Sequence, residues 1–286
     1  MNYSALIQNR KSIRAFSDQY VPFEAIDTIK DYHRTSARRL VREIKTELRM
    51  FGLDARAALE GAAGYKQFLI GAPQYMVLLS EAHPQAAENA GFVMEDLILK
   101  ATDMGLDTCW LTFTNSEYVK TALEIDSPLE VAAIAAFGYG QKTNKRLRIN
   151  VRSMSNVDLP AQRQYFAPKK GVADLVFMER WDNYEGVEEF IGFYDALLWE
   201  AFYAASLAPS YLNRQPYGFV IRDGSIILVQ APDSYTDEKD GKLSLGAAMS
   251  HFSAVAQQWG SPVSWNFAPP QADLPEGFLA VAAVNW

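Results

Sequence analysis

The alternation of apolar and polar positions along the 286-residue chain predicts amphipathic helices and apolar strands, laid out in a similar order in each half. VPFEAIDTIKDYHRTSARRLVREIKTEL, residues 21–48, keeps helical spacing behind Pro22 and predicts one long helix. Its Arg-rich second part reads as a solvated amphipathic face, with Glu43 and Glu47 at pairing distance. APQYMVLLSE, residues 72–81, predicts a strand, and LEVAAIAAFGYG, residues 129–140, a buried strand closed by glycines. Between them ENAGFVMEDLILKATDMG, residues 88–105, predicts a helix carrying Phe92, Leu97, Leu99 and Met104, with Gly105 as its stop.

The second half follows with a helix over EEFIGFYDALLWEAFYAASLA, residues 188–208, and a hairpin over YGFVIRDGSIILVQAP turning on Asp223-Gly224. A helix over LSLGAAMSHFSAVAQQWG, residues 243–260, and a closing strand FLAVAAVNW complete it. The stretch from Gln141 to Asp182 is polar and irregular and contains APKKG, so it reads as a crossover. The expected division is a first half at 1–150, a linker at 151–182 and a second half at 183–286. Gly91, Met94, Ala101, Gly105 and Trp110 recur 155 positions later as Gly246, Met249, Ala256, Gly260 and Trp265, which points to internal duplication. Two tandem α+β halves, facing each other like a dimer made from one chain, are expected.

Composition narrows the chemistry. With 49% hydrophobic residues the chain can bury a large core, and 27 Lys+Arg against 34 Asp+Glu give a net charge of -7. That balance argues against a nucleic-acid surface and offers no polybasic membrane patch. No run approaches the ~18 apolar residues of a membrane span. A lone Cys109 and an N-terminus without an apolar signal core predict a reducing, cytoplasmic setting. Three scattered His and one Cys make a His/Cys metal site an unpromising reading, leaving a bound organic cofactor as the expected reagent.

Two stretches carry candidate chemistry. RKSIRAF, residues 10–16, alternates Arg10, Ser12 and Arg14, which share one side if the segment is extended. Such a set suits a phosphate dianion, although it is equally readable as a solvated basic terminus with Ser12 as an N-cap. APSYLNRQP, residues 208–216, puts Pro209, Ser210, Asn213, Gln215 and Pro216 in one turn between helix and strand. It reads either as a rigid polar wall or as a plain connection.

Together with ENAGFVMEDLILKATDMGLDTCWLTF, residues 88–113, these stretches resemble the FMN-dependent nitroreductase family, and in particular its fused-duplicate, single-chain pseudo-dimer variants. The resemblance implies a nitroreductase-like α+β fold with mixed and antiparallel sheets. It also implies FMN, with NADH or NADPH as donor and a nitroaromatic or quinone-like small molecule as acceptor, joined by ping-pong hydride transfer through flavin N5. By the same resemblance no side chain is catalytic in its own right and no metal is needed. Arg10, Lys11, Ser12 and Arg14 would hold the phosphate, aided by Arg146 or Arg148 from the cluster KTNKRLR, which is also readable as a solvated loop. Pro209, Ser210, Asn213 and Gln215 would wall the ring. The main chain at Leu111, Thr112 and Phe113 would reach the N5 edge, and Lys66 aligns loosely with a flavin-contacting position.

The family's common Glu-Gly pair near the N5 edge is absent, and the chain reads CWLTF at 109–113 instead. Phosphate motif and turn each occur once, so a single composite site per chain is expected, in a monomer. The alternatives are another flavin redox enzyme of the same fold, such as a dehalogenase or dehydrogenase, and a non-catalytic flavin-binding scaffold. Trp110 is expected to pack in the core rather than to stack on a ring.

Overall fold

Most of the expected elements form where the apolar pattern sets them, in a computed structural model that describes residues 1–65, 68–141, 146–147, 150–153, 156–158, 161–162, 168–193, 196–260 and 263–286. The first half runs α1 (Tyr3–Asn9), α2 (Phe23–Thr35), β1 (Thr46–Phe51), α3 (Ala55–Leu59), β2 (Gln74–Ser80), α4 (Ala86–Asp103), β3 (Asp107–Leu111), α5 (Ser116–Ala122) and β4 (Glu130–Gly138). Short strands β5 (Arg146–Leu147), β6 (Asn150–Ser153), β7 (Asn156–Asp158) and β8 (Ala161–Gln162) follow, paired as β5-β8 and β6-β7. The chain continues through β9 (Val176–Met178), α6 (Val187–Phe193), α7 (Ala196–Ser206), β10 (Tyr217–Arg222), β11 (Ser225–Gln230), α8 (Glu238–Ala256) and β12 (Leu279–Asn285).

Contacts divide the chain into two units, residues 9–167 and residues 168–286 joined by 2–8. The change of unit at Ala167/Pro168 lies inside the stretch read as a crossover. In the first unit an antiparallel sheet has the order β1-β2-β4-β3, and the largely buried α4 lies on β2, β3 and β4. In the second the order is β12-β11-β10-β9, mixed because β9 runs parallel to β10, and α7 packs along α8.

The order of pairing recurs between the units. Beyond β12 the bridge Asn266↔Ala283 occupies the place that β3 holds beside β4, so β10-β11-β12 with this bridge matches β1-β2-β4-β3. Gly105 and Gly260 both take left-handed φ, +76° and +86°, just past the two long helices. Asp223 and Gly224, at φ +48° and +71°, close the β10–β11 hairpin as the sequence predicts.

One predicted helix is corrected. The segment 21–48 is helical only to Thr35, and Thr46–Phe51 is an edge strand paired with β2. The intervening loop is fixed from α4: Asn89 Oδ1 accepts from the N–H groups of Leu40 and Val41 at 3.1 and 3.0 Å. Asp96, fully buried, accepts from Arg38 N and Nε, both at 2.8 Å, and from Tyr32 Oη at 2.9 Å. A helix here would have to draw those N–H groups back into its own ladder. The predicted helix at 188–208 is found as α6 and α7, with residues 194–195 outside the described set. Among the described residues no helix is long and apolar enough to cross a membrane.

Candidate functional site

The basic N-terminal segment is extended because strand edges hold it at both ends. Ser12 bridges Thr108 in parallel and Ile13 N donates to Thr108 O at 2.9 Å, adding this segment beside β3. Further on Phe16 bridges Gly140 and Ser17 N donates to Tyr139 O at 2.8 Å. A Cβ at Gly140 would lie 2.7 Å from Asp107 Oδ2, the atom that accepts the Gly140 N–H at 2.9 Å, so a larger residue would have to displace the Asp107 carboxylate. Pleating then puts Arg10, Ser12 and Arg14 at alternate positions, half-buried, with Lys11 exposed between them.

Both arginines carry a buried Nε that makes no hydrogen bond among the described residues. Arg14 Nε makes no hydrogen bond among the described residues, while its Nη1 reaches Ser12 O at 3.4 Å. Arg10 Nε makes no aligned hydrogen bond either, although it stands 3.4 Å from a carboxylate oxygen of Glu95. Burial raises the pKa of the Cys109 thiol, and the charges of Arg14 and then Arg10 pull it back, so both guanidinium charges act at the middle of β3. Two buried guanidinium N–H groups left over beside a serine hydroxyl fit an anion with several acceptor oxygens, which a flavin phosphate is.

At the end of β3 the main chain is held on both sides, Leu111 by its pairing with Ile134 in β4 and Phe113 by its bridge to Ala63. Leu111 and Phe113 are buried in the core of the first unit, and Phe113 bridges Ala63. Thr112 O accepts from Gly64 N at 2.7 Å. Thus only the backbone of 111–113, together with the half-buried Thr112, could meet a ligand. Trp110 is half-buried and donates from Nε1 to Glu95 Oε2 at 2.8 Å. Lys66 and Arg148 lie outside the described residues, and of Arg146 only the backbone, in β5, is described.

The turn 208–216 is built from inside the second unit. Leu212, Asn213 and Gln215 all take left-handed φ, +48°, +60° and +49°, a conformation that non-glycine residues hold only when their surroundings fix it. Gln215 supplies much of that fixing: its Nε2 donates to Ser206 O at 2.8 Å, and its Oε1 accepts from Lys170 N at 2.9 Å. Its own N–H donates to Ser210 Oγ at 2.9 Å. The side chain expected beside a ring is therefore turned inward and 1% exposed. Asn213 Nδ2 donates to Pro168 O at 2.5 Å from a half-buried position, and Pro209 and Ser210 are half-buried too.

Two lysines that the sequence reading left in an irregular crossover complete the turn. Lys169 Nζ donates to Ala208 O at 2.6 Å, just past the end of α7, and Lys170 Nζ donates to Gln215 O at 3.0 Å. Burial, and next the charge of Arg214, lower the pKa of Lys170. Arg214 is anchored by a fork on Asp233, at 2.9–3.2 Å, and stacks 4.7 Å from the Tyr235 ring centroid. No sequence motif marked these lysines, because their partners are carbonyls of a turn that exists only once folded.

Comparison with known proteins places the chain in a family. The family described as "Putative TM nitroreductase" matches residues 2–173. A Thermotoga maritima protein described as a "putative nitroreductase" matches 100% of this chain and 94% of its own, at 17% identity and a TM-score of 0.60. A nitroreductase family protein of Clostridium novyi matches 49% of this chain and 87% of its own, at 21% identity and a TM-score of 0.43. An FMN-dependent nitroreductase of Clostridium difficile matches 48% of this chain and 87% of its own, at 21% identity and a TM-score of 0.42. No curated protein matches.

Proposed function

The chain belongs to the nitroreductase family, and from that premise we propose that it is an FMN-dependent oxidoreductase drawing electrons from NADH or NADPH and passing them to a nitroaromatic or quinone-like small molecule. The observation that carries the flavin is the pair of buried Nε donors of Arg10 and Arg14, neither of which makes a hydrogen bond among the described residues, on one extended segment with Ser12. When bound, the flavin supplies the two-electron transfer, so the chain need offer no acid or base of its own. Arg10 and Arg14 hold the phosphate charge through their planar donor forks, and Ser12 adds a hydroxyl. The main chain at 111–113, held rigid by β3 and by the Gly64–Thr112 hydrogen bond, is the edge offered to the ring. In the second unit Gln215 supports the turn 208–216 from within.

The recurring sheet order, the two glycine-stopped helices and the five identities at an offset of 155 support internal duplication as the origin of the two units. The test is direct. Protein purified from cells should be yellow, absorb near 450 nm and yield about one FMN per chain. Anaerobic NADH and NADPH should bleach it, and nitroaromatics or quinones should restore the colour. Colourless protein that does not take up added FMN would refute the reading.

A further inference from the structure

The flavin reading leaves one buried charge beside the phosphate segment without a task, the carboxylate of Glu95. It sits in the middle of α4 with its side chain 0% exposed. One oxygen accepts from Trp110 Nε1 at 2.8 Å and the other lies 3.4 Å from Arg10 Nε. The contact with Arg10 is Coulombic rather than directional, since Arg10 Nε makes no aligned hydrogen bond there. The next residue of the helix shows what an aiming contact looks like: Asp96 Oδ1 takes Arg38 Nε at 2.8 Å and Nη2 at 2.7 Å. Glu95 does not grip Arg10 in that way. Its effect on Arg10 is that of a nearby charge.

We propose that Glu95 is an internal counter-ion to Arg10, which stabilises the protein before the cofactor arrives and weakens its hold on the cofactor phosphate. The inference rests on the phosphate reading of residues 10–14. The Arg10 side chain is 8% exposed, and a cation so buried is costly without an anion nearby. Glu95 removes that cost in the cofactor-free protein. Because solvent does not screen it, Glu95 also subtracts from the potential with which Arg10 and Arg14 draw a dianion.

The test compares FMN with riboflavin, which differ by the phosphate alone, on full-length cofactor-free protein by quenching of flavin fluorescence. In Glu95→Gln the preference for FMN over riboflavin should rise about tenfold or more, with riboflavin affinity held within about twofold. An unchanged or smaller preference overturns the proposal, as does a parallel loss of both ligands. Wild-type protein that prefers FMN no more than riboflavin overturns the phosphate reading itself, and is seen before any substitution is made. Should Glu95→Gln not fold, Arg10→Met is compared with the Arg10→Met/Glu95→Met double variant. The double variant should recover about tenfold of the FMN preference lost in the single one, because the stranded anion is gone. Equal losses in the two overturn the proposal.

Discussion

Gln215→Ala tests whether the turn 208–216 is held from within. The substitution deletes two hydrogen bonds, Nε2 to Ser206 O and Oε1 from Lys170 N, at 2.8 and 2.9 Å. Their partners stay near a site where the side chain was 1% exposed, so each is left without ready access to water. At about 1–3 kcal/mol for each stranded group, the loss should be about 2–6 kcal/mol. Backbone strain cancels in the comparison, because neither Gln nor Ala has any advantage at φ +49°. For a protein of this size about 2–4 °C of melting temperature accompanies each kcal/mol, giving a drop of about 4–24 °C. Calorimetry on cofactor-free protein reads it. A loss below about 0.5 kcal/mol, the usual range of a surface change, would refute the reasoning. So would intact stability combined with weakened riboflavin binding, which would return Gln215 to the ring.

Two further outcomes follow from buried carboxylates. Burial, and next the charge of Asp237, push the Asp240 carboxyl up to about 7 against the pull of Lys239. Its folded pKa therefore exceeds the unfolded value of about 3.9, so its contribution to stability is full below about pH 4 and is lost as pH rises through 7. Asp240→Asn should remove that share of the decline, so that melting temperatures at about pH 5 and pH 8 lie closer together than in the wild type. Asp96→Asn should cost about 3–5 kcal/mol in urea unfolding, because it leaves the guanidinium of Arg38 short of its buried anion. Amide exchange at Arg38 should quicken with it, since Asp96 also accepts that N–H.

Legibility in the sequence followed the distance over which each element is decided. Helices α4 and α8 and the Asp223-Gly224 hairpin were readable because apolar period, glycine stop and turn chemistry all lie within the element. Residues 36–51 misled because Leu40, Val41, Ile44 and Leu48 continue a helical spacing, whereas their fate is set by Asn89 and Asp96 some 50 residues later. The alternating arginines were visible and their extended backbone followed. The direction in which Gln215 points was not visible, since inward and outward amides look alike in a string of letters. Glu95 and Asp96 did leave a signal that went unread: two adjacent acids in the middle of an apolar helix can be buried only with partners.

Grouping residues 2–8 with 168–286 has a practical consequence for gene engineering. Beyond Asn2 the polypeptide changes unit twice, after Gln8 and after Ala167, so a cut at codon 167 would ship the opening helix with the wrong fragment. A faithful split would start one open reading frame at Asn9 and graft 2–8 behind Trp286 through a spacer in the other.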